Sequence, residues 1–209
     1  MKGISNESRR ALAEVLKYTL MTEVQAQTLP FVLAGEDVLA KAKTGTGKTL
    51  GFLIPIVEMI LKARAKGFGR NGDVGALILS PTRELAAQIS REAASLLHFH
   101  RDIGVQVVIG GVNMKSQLKR MNTQRLDIMV ATPGRLIDHL ENSPGVLNRL
   151  KNMRVRVAPH APHPFPLRKS CAAPDLDYHH PFCRCDCPWY RCSVWTSATR
   201  CWRWVSARS

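Results

Sequence analysis

The sequence predicts an α/β fold, a parallel sheet flanked by helices, and three observations carry that expectation. Short apolar runs of strand length alternate with longer segments whose apolar residues recur at helical spacing. Turn or cap residues separate each run from the helical segment after it. A glycine-rich segment lies between the first run and its helix. Strand–helix alternation of this kind favours right-handed β-α-β crossovers, which cover both sheet faces and therefore call for strands that are apolar throughout.

The elements follow in order. Residues 5–18 have helical spacing, with Leu12, Val15 and Leu16 on one side and Ser5 as the N-cap. "DVLAKA" reads as a short buried strand, and "KTLGFLIPIVEMILKARAK" as a helix with Pro55 inside it as a kink point. "GALILS" is a second strand and "RELAAQISREAASLLHF" a second amphipathic helix. "GVQVVIG" is a third strand, followed by the helical "NMKSQLKRM". "LDIMVATP" is a fourth strand with "GRLIDHLEN" helical behind it.

The length, 209 residues, suits one domain with a sizeable core. No run of 18 or more apolar residues is present, and "MKGISNESRRALAEVLKY" lacks the apolar segment of a secretory signal. The expectation is an intracellular protein, cytoplasmic or nuclear, with no membrane contact and no obligate oligomer. The net charge of +14 suits a polyanionic partner, although a run such as Lys62, Arg64, Lys66 and Arg70 is ordinarily a solvated face. Composition breaks sharply near residue 157. All six Cys, all four Trp and seven of the twelve Pro lie beyond it.

"AKTGTGKT", Ala42 to Thr49, is the strongest chemical signal. Placed between a strand and a helix, it reads as a phosphate-binding loop. Glycines let the backbone turn its N–H groups toward phosphate oxygens, and the helix N-terminus adds partial positive charge. The candidate nucleotide-binding residues are Ala42, Lys43, Thr44, Gly45, Thr46, Gly47, Lys48 and Thr49. Lys48 is placed to reach the β- and γ-phosphates of ATP, and Thr49 to hold the nucleotide's Mg²⁺. The first position is Ala42 where the usual pattern has Gly.

Such a loop alone does not distinguish kinases, GTPases and motor ATPases. Its neighbours do: "KYTLMTEVQ" before it, then "PTRELAAQ", "GG" and "ATPGR" after it, each behind an expected strand. The ordered set, over about residues 4–156, resembles the first RecA-like domain of the DEAD-box RNA helicases. The resemblance implies that Gln25 reads adenine, for which an amide is chemically suited, and that Tyr18 stacks on the base. The family's further upstream aromatic would fall before Met1, so the N-terminus can be clipped and an organellar location stays open. The resemblance also implies an RNA-facing surface made of Pro81, Thr82, Arg83 and Glu84, of Gly110 and Gly111, and of Thr132, Pro133, Gly134 and Arg135. Backbone N–H groups, hydroxyls and the two guanidinia would bind successive phosphates without reading bases, so RNA binding is expected to be salt-sensitive and independent of sequence. Taken singly, "PTRE" is equally a helix cap and "TPGR" a turn.

The family continues after "NMRV" with an apolar strand ending in Asp-Glu-Ala-Asp, whose carboxylates hold Mg²⁺ and orient the attacking water. Here the chain reads "RVAPHAPHPFPLRKSCAAPDLDY" and on; neither an apolar strand nor the paired carboxylates are expected, and Asp175 and Asp177 do not supply them. Three readings of the tail compete. Cys183, Cys185, Cys187 and Cys192 near His179 and His180 form a weak metal pattern, because Cys-x-Cys-x-Cys is not zinc-type spacing. Ser197, Ala198 and Thr199 match the family's Ser-Ala-Thr. The third reading is out-of-frame or intron-derived coding. Read from the third base of each codon, Val194 to Ser206 allows Leu-Asp-Glu-x-Asp-x-Leu-Leu-Glu-Met-Gly-Phe, three of those residues being forced. The expected organisation is a Q-motif helical region at 1–26, a partial ATP-binding domain at 27–156 and an aberrant tail at 157–209. The expected function is the ATP- and RNA-binding part of an ATP-dependent RNA helicase, inactive as an ATPase in this chain. The rivals are a non-catalytic RNA- or ATP-binding module, a different P-loop ATPase and a non-functional gene product.

Overall fold

Ser5 opens the first helix as expected: its hydroxyl accepts the Ser8 N–H at 3.4 Å, and α1 (Asn6–Arg10) runs into a wider π-type turn over Ala11–Val15. The helix stops short of residue 18 because Lys17 takes φ 58°, a left-handed conformation that ends helical geometry. The computed structural model describes residues 3–43, 45–67 and 72–158, and the backbone of 182–183 and 193–196.

The elements continue with α2 (Glu23–Ala34), β1 (Val38–Ala40), α3 (Lys48–Ala65), β2 (Ala76–Leu79), α4 (Arg83–Leu96), β3 (Val105–Val108), α5 (Met114–Thr123), β4 (Ile128–Ala131), α6 (Pro133–Asn142), α7 (Pro144–Leu150) and β5 (Val155–Ala158); β1 to α6 match the anticipated alternation, whereas α2, α7 and β5 had no counterpart in it. Two more short strands, β6 (Phe182–Cys183) and β7 (Ser193–Thr196), complete a sheet of order β3-β4-β2-β5-β7-β1-β6. All pairings among the described residues are parallel except β1 with β6.

Two expectations are corrected here. A short strand does begin at the last residue of "NMRV": Val155 and Val157 are buried, and β5 pairs with β2. Two alternating valines suffice because β2 supplies the ladder and α3 the covering layer. The backbone of 193–196 also lies in the sheet, parallel between β5 and β1, where no strand was anticipated. His179, His180, Cys185, Cys187, Cys192, Asp175, Asp177, Ser197, Ala198 and Thr199 lie outside the described residues.

Alternation along the strands sends side chains to two cores. Ala76, Ile78, Ile128, Val130, Val155 and Val157 pack with α3 and α4 on one face. Leu77, Val108, Met129 and Ala131 pack with Met121 of α5, Leu136 of α6 and Val146 and Leu150 of α7 on the other. Both faces of β2 and β4 are therefore covered, which is what makes these two strands apolar throughout, whereas β3 carries Gln106 and β5 the exposed Arg156.

The strand N-terminal ends are tied through two glycines. The N–H groups of Asp127 and Ile128 donate to the Gly104 carbonyl, and those of Arg154 and Val155 to that of Gly75. Asp127 is buried. Its carboxylate accepts the Gly104 N–H at 2.8 Å and pairs with Arg64. Arg64 thus leaves the solvated charge run in which the sequence had placed it, because a buried carboxylate needs a cation. A second buried carboxylate, Glu58 of α3, accepts the Ser5 and Ser8 hydroxyls at 2.8 and 2.7 Å and so fastens the N-terminal helix to α3.

Candidate functional site

The phosphate-binding loop is built by conformation first. Gly45 and Gly47 take φ +79° and +73°, which residues with a Cβ rarely adopt, and Gly47 is the N-cap of α3. A Cβ on Gly47 would also lie 2.6 Å from Gln25 Nε2. No side chain caps α3, and its first turn carries no acidic residue. Its orphan N–H groups and dipole are therefore open to an anion. The Lys48 ammonium folds over the loop, donating to the Ala42 carbonyl and, at 2.7 Å, to that of Lys43. Partial burial draws Lys48 below the ordinary lysine value. A phosphate arriving there meets an ammonium with less water to shed. Thr46 closes the turn by donating to Lys43 O at 2.9 Å, and Thr49 lies in the first turn of α3. Thr44 lies outside the described residues. These features fit a nucleotide phosphate and its cation.

Gln25 reaches this loop from α2. It forms a capping box with Thr22, accepting the Thr22 N–H at 3.2 Å, while its Nε2 donates to Gly47 O at 2.9 Å. One amide hydrogen and one oxygen lone pair remain, enough for the two-point pairing that adenine offers. The glutamine, 6 % exposed, touches the loop. Sequence reasoning missed Thr22, although Thr-Glu-Val-Gln is itself the capping-box signature. Tyr18 is 57 % exposed, as a stacking platform would be.

The other candidate segments leave the same sheet edge. Ser80 N–H donates to Ala131 O at 2.8 Å and Thr132 N–H to Val108 O at 3.0 Å, so the ends of β2, β4 and β3 are cross-tied where the three loops begin. Pro81, Thr82, Arg83 and Glu84 are exposed, and Thr82 caps α4 through Leu85 N–H at 3.2 Å. The buried Ser80 hydroxyl steadies that turn through Thr82 O at 3.1 Å. Arg83 lies over the glycine pair: its Nη1 is 2.6 Å from where a Cβ on Gly111 would stand. Only glycine there, at φ +80°, lets the guanidinium come so close. Pro133 and Gly134 are exposed at the start of α6, and Thr132 holds the N-cap position without spending its hydroxyl on a cap. Arg135 turns inward toward Asp138. Its side chain is 13 % exposed, and its buried Nε faces Asp138 Oδ2 at 3.6 Å without a hydrogen bond.

A profile of DEAD/DEAH box helicases matches residues 22–158. The chain belongs to this family. It corresponds to the N-terminal RecA-like domain of a DEAD-box helicase. It is 51 % identical over 140 residues to rice DEAD-box ATP-dependent RNA helicase 26, a match covering 67 % of this chain and 25 % of that protein. It is 52 % identical over 147 residues to Arabidopsis thaliana DEAD-box ATP-dependent RNA helicase 31, covering 70 % and 20 %. The chain therefore spans about a quarter or less of these DEAD-box relatives. Among solved structures it resembles the DEAD-box helicase Mss116 bound to single-stranded RNA and UDP-BeF, with TM-score 0.68 and 32 % identity over 75 % of this chain and 31 % of that one. It also resembles the yeast DEAD-box splicing factor Prp28, with TM-score 0.66 and 33 % identity over 75 % and 36 %. No helix among the described residues is long and apolar enough to cross a membrane.

Two histidines are buried in the fold. His100 contacts Ser8 Oγ at 2.9 Å, and His139 contacts Gln117 Oε1 at 3.0 Å. Burial pushes both below the ordinary histidine value; Glu58 opposes this at His100, and Arg135 reinforces it at His139. The folded state thus resists protonation that the unfolded chain accepts. Their contribution is complete above about pH 6.5 and is lost as the pH falls below it toward the depressed values. The melting temperature is expected to drop between about pH 7.5 and pH 5.5. His139→Gln, which keeps an amide donor but cannot titrate, is expected to flatten that slope in calorimetric scans.

Proposed function

We propose that this chain is a module that binds Mg²⁺-ATP and single-stranded RNA, and that its parent protein couples ATP hydrolysis to RNA remodelling. The observation that carries the reading is the shared sheet edge: the phosphate loop, Arg83 on Gly111, and Thr132 all follow strand C-terminal ends, with the last three segments cross-tied. In the family's named relatives this edge belongs to ATP-dependent RNA helicases, and Mss116 was solved with single-stranded RNA.

In this reading Lys48 and the N–H groups of Gly45, Thr46 and Gly47 hold the phosphates, Thr49 offers its hydroxyl to Mg²⁺, Gln25 pairs with the base and Tyr18 stacks on it. The Pro81–Glu84, Gly110–Gly111 and Thr132–Arg135 segments present N–H groups, hydroxyls and the Arg83 guanidinium to successive phosphates, while Arg135 acts through the start of α6. The 209-residue sequence contains no Asp-Glu-Ala-Asp, so hydrolysis is expected to be negligible. The break near residue 157 and the shifted-frame match support a reading in which those carboxylates are coded in another frame of the same message. Sequencing the transcript across Arg154 to Val194 tests that, and the absence of such a frame refutes it.

The functional test is RNA binding at increasing salt. The chain is expected to bind a short oligouridine with an affinity that falls linearly in log–log form, and Arg83→Ala to lower the magnitude of the slope by about 1. RNA-stimulated phosphate release abolished by Lys48→Ala would instead show a working ATPase.

A further inference from the structure

Behind the glycine pair lies a buried polar chain that the nucleotide and RNA contacts do not use. Gln117 of α5, His139 of α6 and Ser143 at the end of α6 are 1 %, 0 % and 5 % exposed. Gln117 Nε2 donates to the Ile109 carbonyl at 2.8 Å, immediately before Gly110. Its Oε1 faces His139 Nε2 at 3.0 Å, and His139 Nδ1 faces the Ser143 hydroxyl at 3.5 Å.

The roles in this chain are determined by donor and acceptor count. Ile109 O can only accept, so the Gln117 amide nitrogen must point to it. Gln117 Oε1 is then an acceptor, so His139 must carry its proton on Nε2, and its Nδ1 accepts from Ser143. Reversing any member leaves a buried polar group unpaired, so the chain has one low-energy arrangement. It links the helix that begins at Pro133 to the loop that begins at Ile109. The cross-tie from Thr132 N–H to Val108 O joins the same two segments from the sheet side.

We propose that Gln117 and His139 are positioning residues for RNA, holding the Gly110–Gly111 turn in register with Arg83 and with the start of α6. This rests on the RNA-binding reading above. A turn with two glycines has wide conformational freedom, and phosphate contacts need it held in one conformation. The relay supplies that constraint from behind, leaving the outer face of the turn for the ligand.

The test uses the full 209-residue chain, a fluorescein-labelled 12-nucleotide oligouridine and a fluorescent ATP analogue. Gln117→Met removes both polar ends at similar volume. It is expected to weaken RNA binding about five- to ten-fold and to lower the magnitude of the salt slope by about 1, with nucleotide affinity unchanged. His139→Gln, which can still donate to Gln117, is expected to retain RNA binding within about two-fold, whereas His139→Phe is expected to match Gln117→Met. Gln117→Met with wild-type affinity and slope, in a wild-type chain that binds RNA, overturns the relay alone. A wild-type chain with no salt-dependent RNA binding overturns the RNA reading and the relay with it. If Gln117→Met does not fold, the wild-type chain decides. Saturating RNA is then expected to shift the His139 imidazole and Gln117 side-chain amide signals in nitrogen-15 spectra together with the Gly111 amide. A shift of Gly111 without the other two overturns the proposal.

Discussion

Lys48→Ala is expected to weaken Mg²⁺-ATP binding by about 30- to 150-fold, the equivalent of about 2–3 kcal/mol for a charge-assisted phosphate contact. Among the described residues the ammonium bonds the Ala42 and Lys43 carbonyls of its own loop, and alanine releases both at a half-exposed site. The melting temperature is therefore expected to change little, and the loss is expected to be confined to the ligand. Adenosine and AMP, which offer the base to Gln25 without the distal phosphates, should bind the variant as they bind the parent. A titration with a fluorescent ATP analogue measures this. A change of less than about three-fold would remove Lys48 from the phosphate site.

Gly104→Ala is expected to cost about 3 kcal/mol of stability or more, lowering the melting temperature by roughly 10 °C. A Cβ on Gly104 would stand 2.3 Å from the Arg125 carbonyl oxygen and 2.7 Å from its carbon, both backbone atoms. The strand start cannot move away, because Gly104 accepts from Asp127 and Ile128 and donates to the Asp127 carboxylate. Gly75→Ala is the comparison. There the nearest atom is Ile60 Cγ1 at 2.9 Å, a buried side chain rather than backbone, the nearest backbone atom is the Asp127 oxygen at 3.4 Å, and a smaller penalty of about 1–2 kcal/mol is expected. Thermal melts of the two variants compare the sites directly, and equal penalties would show that the backbone at Arg125 yields.

Much of this architecture is legible in the sequence, for identifiable reasons. β2 and β4 are continuous apolar runs, since both sheet faces are covered, and α4 and α6 carry clear helical periodicity. α2 escapes the same test because Val24, Ala26, Leu29, Phe31, Val32 and Leu33 surround it with apolar groups and Pro30 interrupts it. Its start was nevertheless written in the Thr22–Gln25 capping box. β5 and β7 are short and gain their strand character from neighbours distant in sequence, which no local pattern encodes. At the site, the glycine-rich loop is specified by backbone chemistry and could be read directly. That Arg83 rests on Gly111 while Arg135 turns inward to Asp138 depends on tertiary packing, and the motif letters look the same in either case.

The position of β1 in the sheet has a consequence for biosynthesis. The strand that leads into the phosphate loop is flanked by β7 and β6, whose residues are 193–196 and 182–183, while β2 to β5 pair among themselves. On the ribosome, β2 to β5 can zip together as they emerge. The strand made first, β1, must wait for residues 182–196 to emerge before its backbone N–H and C=O groups find partners. Until then the nascent chain carries an unpaired edge next to its nucleotide loop, a target for chaperones that grip exposed strands and a place where aggregation would start.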